Sequence, residues 1–74
     1  MRSLPIRDAL QGLPLQAAVR IAGWAETGGQ AKQLVQGGKV TVNGVIETRR
    51  SHFIRAGDII ACAEDELEIT CDDR

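Results

Sequence analysis

The sequence predicts an α+β fold: two short helices packed as a corner against a small, mainly antiparallel sheet. Three observations carry this. Ala31, Leu34 and Val35 recur at the three-and-four spacing of a buried helical stripe. Asn43-Gly44 stands between two β-rich runs, the strongest short-range hairpin signal, because both residues accept positive φ. Leu67, Ile69 and Cys71 alternate with Glu66, Glu68 and Thr70, as in a strand with one buried face. The expected core is Leu15, Val19, Leu34, Val35, Val40, Val42, Ile59 and Leu67.

In chain order, Leu4, Ile6 and Leu10 form a lead-in interrupted by Pro5, which suits an edge strand because proline lacks the ladder N–H. Pro14 suits the first position of a helix running to about Ala22, with Leu15, Ala18, Val19 and Ala22 on its stripe and Ala17 and Ile21 beside it. Gly23 ends this helix, and Trp24 is expected to cover the helix-helix junction with its indole N–H turned outward. Thr27 precedes Gly28, Gly29 and Gln30, so its hydroxyl caps a second helix while the amide at the third position reaches back to the cap. Gly37 and Gly38 stop that helix with left-handed backbone angles. Lys39 to Val42 is a strand, followed by the Asn-Gly turn. A two-residue turn sets Val42 opposite Val45; a three-residue turn with a bulge sets it opposite Ile46. Phe53 and Ile54 re-enter the core, Arg55-Ala56-Gly57-Asp58 turns, and Ile59 to Cys62 is a strand. The acidic loop Glu64-Asp65-Glu66 leads to the last strand, and the tail Asp72-Asp73-Arg74 is expected to fray.

A chain of 74 residues makes one domain with a small core. Only Trp24 and Phe53 are aromatic, too few for the row of stacking platforms that single-strand binders use. The formal net charge of -1 hides an asymmetry. Residues 1–63 hold eight Lys or Arg against four acids, a net of +4, and residues 64–74 hold one Arg against six acids, a net of -5. A basic face and an acidic end are one reading; solvated surface is the other. Cys62 and Cys71 are expected as reduced, buried thiols in a cytoplasmic protein, since no signal peptide, lipidation motif or apolar run near membrane length is present. No metal and no cofactor is expected, because His52 is the only histidine and stands at no ligand spacing from the cysteines.

Candidate binding residues cluster around the second helix. Gly28 and Gly29 carry unpaired amide donors at a helix start, where a phosphate could lie with Lys32 one turn on; a plain helix entrance is the competing reading. Arg49-Arg50 is the only place where two arginines adjoin, and their forks suit phosphates. His52 is assigned no role.

The run TGGQAKQLVQGGKVTVNGVIETRR resembles the alpha-L RNA-binding motif of the domain named after small-subunit ribosomal protein S-four, in its small stand-alone bacterial form. The likeness covers about Leu15 to Ile60, with an acidic last strand and tail over 64–74. It implies that the helix pair and hairpin present a basic surface to structured RNA, without catalytic residues. The surface it implies comprises Arg20, Thr27, Gly28, Gly29, Gln30, Lys32, Gln33, Lys39, Asn43, Arg49 and Arg50. The partner would be rRNA, tRNA or another folded RNA, held mostly through phosphate and sugar, with Gln30, Gln33 and Asn43 bonding 2'-hydroxyls. The family usually carries an acid early in the first helix where this chain has Gln16, which bears on a local polar contact.

An enzyme is not expected: no Ser-His-Asp set, paired carboxylate pocket or dinucleotide fingerprint is present, and GGQAK is not a phosphate-binding loop. The rival to RNA binding is a protein-interaction module in which Arg49 and Arg50 grip an acidic partner and the acidic C-terminal segment offers a second surface. A monomer without membrane contact is expected in either case.

Overall fold

The computed structural model describes residues 2–7 and 9–72. The chain runs β1 (Arg2–Ile6), β2 (Leu13–Pro14), α1 (Leu15–Ile21), α2 (Gly28–Gln36), β3 (Val40–Val42), β4 (Val45–Ile46), β5 (Phe53–Ile54), β6 (Ile59–Cys62) and β7 (Asp65–Cys71). This is the α+β architecture expected. The main sheet has the order β1-β7-β6-β3-β4, antiparallel throughout except where edge strand β1 runs parallel to β7. A separate two-stranded ladder of β2 and β5 has no counterpart among the elements expected from the sequence. Asp72 N–H donates to the Ile6 carbonyl at 3.1 Å, so the described end of the tail is held; the fraying expected at Asp73 and Arg74 lies outside the described residues.

Both helices end alike. Gly23 and Gly38, at φ 84° and 75°, take the left-handed turn past the last helical residue. Paired bonds from Gly23 and Trp24 to the Arg20 and Val19 carbonyls, and from Gly38 and Lys39 to the Val35 and Leu34 carbonyls, close each terminus. Gly37 keeps negative φ (-78°), so only one glycine of the expected pair turns left-handed. Pro14 stands one place earlier than expected, as the N-cap of α1, where its φ of -62° and ψ of 143° remain extended.

Leu15, Ala18, Val19, Ala31, Val35, Val40, Ile54, Ile60, Leu67 and Ile69 form the core, with Leu34 and Val42 half-buried against it. Ile59 does not belong there. The β6–β7 register sets Ile60 opposite Leu67 on the core face and Ile59 opposite Glu68 on the other, because side chains alternate along a strand. The same alternation separates Phe53 from Ile54: Ile54 is fully buried, whereas Phe53, expected inside, is 57% exposed. Its ring edge lies over Gly12, where an added Cβ would come within 3.1 Å of Phe53 Cδ2. Ile21 is likewise exposed rather than sheltered beside the α1 stripe.

The hairpin uses the two-residue turn. Val42 pairs with Val45, and Asn43 and Gly44 take φ of 53° and 84°, as the primed turn requires. The turn before β7 is also shorter than expected: Cys62 pairs with Asp65, so Asp65 and Glu66 belong to the strand and Ala63-Glu64 makes the turn. Trp24 packs against the core as expected, but its indole N–H is not free to solvent; Nε1 donates to Asp65 Oδ2 at 2.8 Å. Arg2 Nη1 reaches Asp65 Oδ1 at 2.8 Å, so this one carboxylate ties β1, the α1–α2 connection and β7 together. Among the described residues, no helix is long and apolar enough to cross a membrane.

Candidate nucleic-acid interface

Helix α2 begins as its residue types dictate. Thr27 is extended, at φ -132° and ψ 163°, and its Oγ1 accepts the Gln30 N–H at 3.1 Å. Gln30 Oε1 reaches one residue further back than a capping box, accepting the Glu26 N–H at 2.7 Å. This leaves the Gln30 amide nitrogen for another partner. Ala31 and Val35 face inward, and Gly29, Gln30, Lys32, Gln33 and Gln36 face out. A Cβ built at Gly28 would meet nothing within 4 Å, and one at Gly29 only Thr27 Oγ1 at 3.9 Å. Neither glycine is demanded by packing or by a left-handed backbone, although glycine weakens a helix relative to alanine.

The turn after β4 holds the second group of cations. Glu47 N–H donates to the Val40 carbonyl at 3.1 Å, fixing the start of the turn to β3. Glu47 Oε2 accepts the Arg49 backbone N–H at 2.9 Å and Nε–H at 3.1 Å, while Oε1 accepts Nη2–H at 3.3 Å. His52 Nδ1 lies 3.4 Å from Oε1. The Arg49 side-chain bond, then its backbone bond, hold the Glu47 carboxyl down at about 2, and Glu47 raises the Arg49 guanidinium in turn. Past this turn the chain covers the start of α1, where Leu15 and Gln16 N–H donate to the His52 and Arg50 carbonyls at 2.8 and 3.1 Å. Gln16 Oε1 is buried without a hydrogen-bond partner among the described residues, the local polar consequence of an amide at this position.

The remaining candidates fall in three places. Gln30, Gln33 and Lys39 line one open hollow with Trp24 and Leu34. Arg20 lines another, with Ala17, Ile21, Ala25 and Glu26. Asn43 is at the hairpin tip with its amide engaged: Nδ2 donates to Asp58 Oδ1 at 3.1 Å and Oδ1 accepts the Ile59 N–H at 3.0 Å, joining the hairpin to β6. Among the described residues Arg20, Lys32, Lys39 and Arg50 make no ion pair, and Arg49 alone of the candidate cations is paired. Sequence reasoning passed over Glu47; its spacing of two residues from Arg49 and five from His52 was the available signal. Among the described residues no group of three or more His, Cys, Asp or Glu is gathered to hold a metal ion.

Fold and surface define a class: a small α+β domain in which a helix pair is followed directly by a hairpin and a cationic turn. The chain belongs to the S4 domain family, whose profile matches residues 6–70. It is 35% identical over 51 residues to a protein of Escherichia coli (strain K12) named "Putative RNA-binding protein YbcJ", covering 69% of this chain and 73% of that one. The "Uncharacterized protein YbcJ" of Shigella flexneri matches with the same identity and coverage.

Proposed function

We propose that this protein is a non-enzymatic cytoplasmic RNA binder that grips structured RNA mainly through phosphate and sugar. The observation that carries the reading is the first turn of α2. Gly29 and Gln30 are exposed there, Gly28 and Gly29 are glycines that the fold itself does not need, and Lys32 follows one turn later with no ion pair among the described residues. Backbone amides at a helix start attract phosphate, and the missing Cβ atoms let a ribose-phosphate chain approach closely. Family membership and the name of the Escherichia coli relative support the choice of RNA. Lys39, Arg49 and Arg50 extend the same surface, with Arg20, Gln33 and the free half of the Gln30 amide at its margins. Asn43 contributes chiefly by holding the hairpin to β6 and keeps one amide hydrogen for the ligand.

The test is a gel shift across a salt series with matched RNA and DNA hairpins, using wild type and the triple variant Lys32→Ala, Arg49→Ala, Arg50→Ala. RNA should bind more tightly than DNA. Each phosphate that a substitution leaves without its cation should lower the slope of log K against log salt by about 0.7 to 0.9. A folded triple variant with full affinity and full salt dependence would remove these residues from the surface and favour an acidic protein partner for the arginine pair.

A further inference from the structure

We propose that Glu47 is a positioning residue of the RNA surface: it aims the Arg49 guanidinium outward, so that removing this acid weakens RNA binding although it also removes a negative charge. The inference rests on the RNA-binding reading and deepens it.

Glu47 is itself well fixed. Its backbone is bonded to β3 and its side chain is only 15% exposed, while that of Arg49 is 73% exposed. The carboxylate takes the guanidinium side-on, through Nε and Nη2, and also holds the Arg49 backbone. One edge of the planar fork is thereby occupied and the Nη1 end is left toward solvent, where its hydrogens and the second Nη2 hydrogen can meet two phosphate oxygens. An unrestrained arginine would give up rotamer freedom on binding; here the bonds to Glu47 already favour one direction in the free protein. Coulomb's law alone makes the opposite forecast, because an acid beside an RNA-facing arginine repels phosphate. The sign of the mutational effect therefore separates the two.

The experiment measures affinity for one RNA hairpin by fluorescence anisotropy at fixed moderate salt, with thermal melts of every variant. Glu47→Gln should bind about two- to tenfold more weakly than wild type, the entropic cost of ordering one long side chain. Arg49→Lys keeps the charge but cannot make the two-pronged side-on pair, so it should lose nearly as much affinity as Arg49→Ala. A role limited to holding the turn would make Glu47→Gln cost the same affinity in an Arg49→Ala background, where the positioning role leaves it without effect. If Glu47→Gln proves unfolded, Glu47→Asp takes its place: it keeps the charge but is too short to hold the Arg49 side chain in the same way, and it should bind more weakly than wild type. Glu47→Gln binding as tightly as wild type or tighter, or Arg49→Lys retaining full affinity, overturns the positioning role. If the triple variant at Lys32, Arg49 and Arg50 meanwhile fails to bind, the RNA reading stands. A triple variant that binds like wild type removes the RNA surface itself, and the positioning role with it.

Discussion

Gly29→Ala is expected to make the protein more stable and a poorer RNA binder. Gly29 is the second residue of α2, and an added Cβ would meet only Thr27 Oγ1, at 3.9 Å, an ordinary van der Waals contact. The new methyl therefore brings no clash, and it narrows the unfolded ensemble. Such a change is worth about 0.4 to 1 kcal/mol where the backbone suits alanine. For a domain of this length that raises the melting temperature by roughly 2 to 8 °C. The same methyl stands over the amides where a phosphate would rest. Displacing one charge-assisted hydrogen bond weakens binding by roughly tenfold or more. Circular dichroism melts and RNA titration by anisotropy read the two effects from one purified sample. A more stable variant with unchanged affinity would refute the close-approach argument, and a less stable one would show that the backbone at Gly29 is not free to carry a side chain.

Four other outcomes follow from the geometry. Leu15→Ala, at a fully buried site, should cost about 2 to 5 kcal/mol by urea denaturation, and Leu34→Ala, half-buried beside an open hollow, clearly less. Asn43→Ala removes both bonds to the start of β6 and should cost about 1 to 3 kcal/mol, with hydrogen exchange at Ile59 accelerated before the rest of the sheet. Because the Glu47 carboxyl is lowered from 4.5 to about 2 in the folded protein, its stabilisation is complete above 4.5 and is lost as pH falls through about 2; an acid titration of Glu47→Gln should lack that part of the loss. Neutralising Glu64, Glu66 and Glu68 together should tighten RNA binding at about 0.01 M salt and do little at about 0.15 M, where the screening length has dropped to about 8 Å.

Where a local pattern decided the structure, the sequence showed it. Thr27 before two glycines and an amide is a helix start by its own hydrogen bonding, and Asn43-Gly44 is a hairpin turn by its own φ angles, so neither needed tertiary context. What needed context was missed. Ile59 and Ile60 are indistinguishable as residue types, and only pairing with β7 decides which faces inward. Phe53 and Ile54 pose the same choice, settled by the short ladder with β2. In the candidate surface the cations were legible as charges, but their state was not. Arg49 and Arg50 are neighbours of one type, yet Arg49 is clamped by an acid two residues away and Arg50 makes no ion pair among the described residues. The Asp65 tie to Trp24 and Arg2 joins positions 41 and 63 residues apart, beyond any local pattern.

A net charge of -1 is compatible with gripping a polyanion because the sheet order separates the signs. Glu64 immediately precedes β7, Glu66 and Glu68 lie on it, and Asp65 is already paired with Arg2. Arg49 and Arg50 follow β4, the edge strand at the other end of the order β1-β7-β6-β3-β4, while Lys39, just before β3, lies nearer the acidic turn because Val40 pairs with Cys62. Three inter-strand steps of about 4.8 Å put β7 about 14 Å from β4. That exceeds the screening length of about 10 Å at 0.1 M salt, so repulsion from the acidic strand fades before it reaches a phosphate held beside the hairpin. The carboxylate nearest the cationic turn is Glu47, and its effect on binding turns on orientation: at hydrogen-bond distance it fixes the direction of Arg49, which the distant acids cannot do.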